Sequence, residues 1–364
     1  MGIKDRARKI EEIYQEIEMK LLKEIALALK FGTPIDRETN IVNWRIEKLR
    51  LFDKVTERHK KILSYYSEKT LDEINDFIKE VGYDQLRQTE RKIKPFIQLD
   101  VFDYIEPDNF ISGVLDTMNR ITLNKLNMLN SKVLQNAGET YVDIVTKASL
   151  EAGLGSITVH QAMVNAVKEA TAKGIPALRR SDGAVLSLEG HIPTVIRATQ
   201  KSVANAVDEG LFDLYEIDLV EISSHLGSRP SHAPFQGKVF SRSGTSDKYP
   251  PLSTTGYGKI DGLITGINCR HLMYPYVEGV SVKRYEPYDK AESERVYKEQ
   301  QQQRSLERAI RKAKKQKAML EEVGANQQDI QKATAKIRGR QKAMREFIKR
   351  TGRARNYERE RTVA

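Results

Sequence analysis

Isoleucine and leucine recur at steps of three and four from Ile10 through Ile13, Ile17, Leu21 and Ile25 to Leu29. A chain buries such a stripe most simply as an amphipathic helix. Similar spacing governs most of the 364 residues. It breaks down between Glu216 and Gly279, where glycine, proline and serine punctuate short apolar runs. That stretch holds three of the six histidines and the only cysteine. A helical chain with one loop-rich insert is constrained to a mostly α fold with a small central α+β module. The polar insert is the first place to look for chemistry or a specific contact.

The pattern divides the chain into a helical arm at 1–150, the α+β module at 151–289 and a basic helical tail at 290–364. In the arm, the first helix should end at Gly32-Thr33-Pro34. A second run carries Trp44, Leu51, Val55 and Ile62. Thr70 with Glu73 forms a capping-box pattern opening a further helix, which Gly82 should stop. Trp44 and His59 read as packing and surface residues. Residues 83–113 are expected to be loop or short helices. Residues 114–150 return to helix, with Asn119, Asn124, Asn127, Asn130 and Asn136 in it. Asparagine is a mediocre helix former, so this helix needs tertiary or intersubunit packing.

In the module, Ile157-Thr158-Val159 opens a helix closed at Gly174. Ser181-Asp182-Gly183 signals a turn. A helix then runs from Pro193, at its first turn, to Val207. Strands are expected at Leu214–Ile222, Lys238–Phe240 and Val280–Tyr285. In the tail, Leu306, Ile310, Ala313, Met319 and Val323 mark one helix. Ile330, Ile337, Met344 and Ile348 mark another, with a break at Gly324-Ala325-Asn326. The final RTGRARNYERERTVA is expected to fray.

Charge is uneven. From Lys290 to Ala364 there are 22 Lys and Arg against 10 Asp and Glu, so the rest of the chain carries about −1 of the formal +11. Localised positive charge points to a polyanion, most often nucleic acid. The candidate phosphate contacts are Arg311, Lys312, Lys314, Lys315 and Lys317, then Arg338, Arg340, Lys342, Arg345, Lys349, Arg350, Arg353 and Arg355. They carry no base-reading pattern, so the expected partner is double-stranded DNA, bound without sequence preference. No apolar run reaches the length of a membrane span, and one cysteine excludes an internal disulfide framework.

His225, His232, Cys269 and His271 are ligand-type residues. Thiolate and imidazole suit zinc, although the spacing matches no standard finger. The plainer reading needs no cofactor, the side chains hydrogen-bonding loop backbone. A catalytic alternative is a metal-dependent DNA-processing hydrolase. It would use Asp218, Glu221 or Asp261 as carboxylates and Arg229, Arg242 or Arg270 to hold phosphate. No nucleophile elbow, Walker loop or GxGxxG supports it. Gly256 and Gly258 read as turn residues.

Four blocks stand in order across about 100 residues: DGAVLSLEGHIPTVIRATQKS, DLVEISSHLGSRPSHAPFQGKVFS, YPPLSTTGYGKIDGL and GINCRHLMYPYVEG. In that order they resemble the phage minor capsid protein 2 family, within the wider head-morphogenesis group of tailed phages. The resemblance implies a structural virion component near the portal and does not imply catalysis. It also implies portal and capsid proteins as partners, assembly in the host cytoplasm, and a role in head assembly and DNA packaging or delivery.

Overall fold

The computed structural model describes residues 2–30, 40–96, 107–155, 157–179, 183, 185–259, 261–266 and 268–362. Within them the chain forms eight α-helices and five short strands, a mostly α fold with a small α+β part. The helices are α1 (Ile3–Lys30), α2 (Ile41–Arg50), α3 (Phe52–Ile93), α4 (Pro107–Gly153), α5 (Val159–Lys173), α6 (Leu188–Leu214), α7 (Lys290–Glu322) and α8 (Gln327–Thr351). The strands are β1 (Pro176–Arg179), β2 (Val185–Ser187), β3 (Leu219–Ile222), β4 (Val239–Ser241) and β5 (Met273–Pro275).

The residues group into two compact units, each drawn from three stretches of chain. One comprises residues 1–8, 72–124 and 194–302; the other comprises 9–71, 125–193 and 303–364. The first holds the sheet β4-β3-β5, in which β3 pairs antiparallel with both neighbours. Val220, Ile222, Phe240 and Met273 of these strands are buried, as are Phe77, Ile78, Leu115, Val203 and Phe212 of the helices. The second holds α2, α5, the β1-β2 hairpin and most of α1, whose stripe from Ile10 to Leu29 is buried throughout. It also holds the α7–α8 seam, where Ile310, Met344 and Phe347 form a buried cluster flanked by Leu306 and Ile348.

Several sequence expectations give way to packing. α3 passes through Thr70 and Gly82 without interruption. The Thr70 hydroxyl donates to the Tyr66 carbonyl at 2.6 Å, four residues back, and does not cap a new helix. Gly82 serves a close contact: a Cβ there would lie 2.4 Å from Leu115 Cδ2. α6 begins at Leu188, before Pro193. Ser187 Oγ accepts from the Gly190 amide, so the cap lies upstream of the proline. β3 is shorter than expected because α6 continues to Leu214. No strand forms over 280–285. The amides of Arg284 and Tyr285 donate instead to the buried Glu221 carboxylate, both at 2.9 Å. The last residues are tied down: Arg355 forks onto Glu360 with two 2.6 Å bonds, and Gln303 reaches the Ala354 carbonyl.

The break at 324–326 is where the sequence puts it, and Asn326 caps α8 through the Asp329 amide. Thr158 and Gly174 bound α5 as expected. Two of the α4 asparagines find tertiary partners. Asn130 bonds to Ser67 and accepts from Tyr14, and Asn136 donates to the Pro176 carbonyl at 2.7 Å. His59 is fully buried, not at the surface, and burial pushes it down to about 4. The expected stops at 32–34 and the turn at Ser181-Asp182 lie outside the described residues.

Candidate metal centre

Sheet topology brings the ligand-type residues together. Ile222, the last residue of β3, pairs with Met273, the first of β5. Ser223 and Leu272 extend that ladder, with the Ser223 amide on the Leu272 carbonyl at 3.0 Å and the Leu272 amide on Ser223 Oγ at 2.8 Å. The loop leaving β3 and the segment entering β5 therefore emerge from the same end of the sheet. The first carries His225 and His232; the second carries Cys269 and His271.

His232, Cys269 and His271 each present one ligand atom, and these atoms lie within 4.8 Å of one another. His232 and His271 are buried and Cys269 is half-buried. His232 Nε2 lies 2.9 Å from the Asp261 carbonyl oxygen. A carbonyl only accepts, so the Nε2 of His232 carries the proton. His271 Nε2 lies 3.2 Å from Gln236 Oε1. That oxygen also accepts from the His225 amide at 2.8 Å, which fixes it as oxygen and makes Nε2 the donor here too. In the neutral rings both Nδ1 atoms are then bare acceptors. His271 Nδ1 sits 3.4 Å from Cys269 Sγ, and His232 also hydrogen-bonds the thiol.

The structure separates the fourth expected ligand from this set. The His225 ring stacks on His271, with centroids 4.4 Å apart and planes tilted by 33°. Its Nδ1 faces its neighbour's carbonyl, Leu226 O.

The electrostatics follow from burial and from the shared thiol. Burial drives His271 down to about 3, helped by the positive charge of its neighbours. Burial also lowers His225. For His232 burial acts downward, but the bond to Cys269 and the Asp261 carbonyl outweigh it and raise the group. Cys269 is the converse: burial acts upward, and the bond with His232 brings the thiol below its ordinary value. The Lys201 ammonium on α6 donates to the His271 carbonyl at 2.6 Å and holds the segment in place.

The loop between the pairs is tight. Ile264 sits at φ 64°, a conformation that costs a β-branched residue about 1–3 kcal/mol. In that position its amide points at Cys269 Sγ, 3.2 Å away. Gly256 turns the chain at φ 76°, and a side chain on Gly262 would collide with the Gly256 carbonyl.

Two of the three carboxylates expected to serve catalysis are engaged elsewhere. Asp218 accepts from Ser241 Oγ and the Ser243 amide, and Glu221 accepts from the amides at 284 and 285. Asp261 meets the cluster through its backbone carbonyl. Arg242 is spent on Asp213 and the Ile217 carbonyl, and Arg270 on Gln300. Sequence reasoning passed over Gln236 and Lys201, the residues that set the histidine tautomer and anchor the backbone. A loop glutamine beside His232 was the only available signal.

The tail residues split into two groups. Lys315 points inward, 6% exposed, with its ammonium 2.8 Å from Glu18 and in contact with Glu189. As a phosphate contact it is therefore corrected. Arg311 pairs with Glu189 and meets the Arg359 carbonyl; Lys314 donates to the Glu360 carbonyl. Lys317, Arg353 and Arg355 pair with Glu321, Gln303 and Glu360. By contrast Lys312, Arg338, Arg340, Lys342, Arg345, Lys349 and Arg350 are exposed. On α8, positions 338, 342, 345 and 349 follow steps of four, three and four, which puts them on one helical face.

Long helices and a small antiparallel sheet make this a mostly α protein that carries one compact His/Cys cluster. The family model for phage minor capsid protein 2 matches residues 3–349, and the chain belongs to that family. It is similar to a structural protein of Lactococcus phage LL-H, 35% identical over 249 residues that cover 65% of this chain and 67% of that protein. It is also similar to a structural protein of Lactococcus phage mv4, 41% identical over 101 residues covering 28% and 80%. No solved structure gives a significant match.

Proposed function

We propose that this minor capsid protein is a non-enzymatic component of the phage head. In this reading it sits near the portal, contacts portal and capsid proteins, and assists head assembly and DNA packaging or delivery. Its α8 face contacts packaged double-stranded DNA. Family membership supports the structural role. The observation that carries the DNA contact is the row Arg338, Lys342, Arg345 and Lys349, all exposed along one face. At a rise of about 1.5 Å per residue the row runs for roughly 16 Å, long enough to meet several phosphates of a duplex. A row of arginine and lysine of this kind reads backbone charge and not bases. No helix among the described residues is long and apolar enough to cross a membrane.

Titrating duplex DNA into the full chain at two salt concentrations tests the contact. Binding should weaken steeply with salt and be indifferent to sequence. Replacing the four residues with glutamine should reduce the log–log salt slope by about 3–4. Equal slopes for the two proteins would remove the DNA role of α8. Quantitative mass spectrometry of purified heads tests the placement. The chain should be present well below the copy number of the shell protein, and cross-linked to the portal.

A further inference from the structure

We infer that His232, Cys269 and His271 hold a zinc ion that clasps the loop leaving β3 to the segment entering β5. Proton counting comes first. The two Nδ1 atoms and the sulfur are three acceptors facing one another, and with neutral rings a single S–H proton lies among them. It can satisfy one ring nitrogen and leaves the other buried without a donor, which is unfavourable. A cation at the shared centre satisfies all three at once.

The surroundings match those of metal-bound imidazole, which characteristically donates its second N–H to a carbonyl or carboxylate. Both rings do so, His232 to the Asp261 carbonyl and His271 to Gln236 Oε1. Spacing agrees as well. Tetrahedral zinc with bonds of about 2.3 Å to sulfur and 2.0 Å to nitrogen separates those two ligands by roughly 3.6 Å. Sγ and His271 Nδ1 are already 3.4 Å apart. One thiolate with two imidazoles selects zinc over magnesium or calcium, which prefer oxygen donors.

The role is structural. Strands of three and four residues leave this part of the chain few ladder bonds, and the ion adds a tie between two segments otherwise held by a few hydrogen bonds. The carboxylates of Asp218 and Glu221 are already bonded to backbone and serine.

The test uses the untagged full chain, purified without chelator and dialysed against zinc alone. Elemental analysis should give about one zinc per chain, and chelator should lower the melting temperature. Cobalt substitution should produce a near-ultraviolet thiolate charge-transfer band, which reports Cys269 without any variant. Cys269→Ser should abolish that band, and Gln236→Leu should weaken zinc binding by about 10–100-fold. His225→Ala should retain the metal, since His225 packs on His271 and does not ligate. Substoichiometric zinc with melting unchanged by chelator would overturn the inference. So would a cobalt complex lacking the thiolate band. Loss of metal from His225→Ala would overturn the three-ligand assignment.

Discussion

Helices α7 and α8 are both rich in lysine and arginine, and they use that charge in opposite ways. On α7, Lys315 is buried between Glu18 and Glu189, and Arg311 joins the same acid. On α8, Arg338, Lys342, Arg345 and Lys349 are exposed, and the nearest carboxylate to any of them, Glu346, stands 3.9 Å from Lys342. A pair at that distance on the surface contributes almost nothing to stability. One row is therefore part of the interior and the other is free for a partner. A count of net charge merges the two, and overstates the cations available to a polyanion.

The largest test of that contrast is Lys315→Met. It leaves the buried Glu18 carboxylate without its cation and should cost about 3–5 kcal/mol in chemical denaturation. Adding Glu18→Gln should recover part of the loss, because the two sites share one interaction. Wild-type stability in this region should also fall in acid. Burial alone would raise the Glu189 carboxyl, but Lys315 and Arg311 more than offset it and hold the group below its usual range. A carboxylate depressed in the fold stabilises it above the unfolded value and loses that contribution as pH falls through the folded one.

A second test isolates burial from pairing. His59 ionises at about 4 in the fold, down from the ordinary 6.5. The unfolded chain binds the proton first, so stability should decline as pH drops from 6.5 toward 4, by about 3 kcal/mol. In His59→Leu the decline over that window should be shallower by a similar amount. Parallel pH profiles for the two proteins would mean that the ring is hydrated in solution. The smallest effect is expected on α8. Replacing its four exposed cations with glutamine should shift stability by no more than about 0.5 kcal/mol per site, while DNA affinity collapses. A large loss of stability there would erase the distinction between the two helices.

Much of the architecture was legible because periodicity reports burial directly. The α1 stripe, the α5 caps, the break at 324–326 and the seam at Leu306, Ile310, Met344 and Ile348 all follow from local pattern. The misses have a common cause. Thr70 with Glu73 is a helix start only if the preceding turn is open, and Tyr66 offers a carbonyl that decides otherwise. Gly82 reads as a stop until Leu115 packs against it. Val280–Tyr285 alternates like a strand, but the partner its amides find is a side chain, Glu221. Such outcomes depend on residues far along the chain, which a local window does not contain. The cluster was half legible: residue chemistry named four candidates, and the fold brings the ligand-type atoms of three of them within 4.8 Å of one another.

The pairing of Glu18 with Lys315 spans 297 residues. During synthesis the acid leaves the ribosome early and its cation near the end. At about 5–20 residues per second the delay is roughly 15–60 s. Over that interval Glu18 lacks its final partner. The Glu18–Lys315 pair therefore forms only when the tail arrives. A chain cut short before residue 315 would carry an intact N-terminal sequence with an unneutralised acid at its centre.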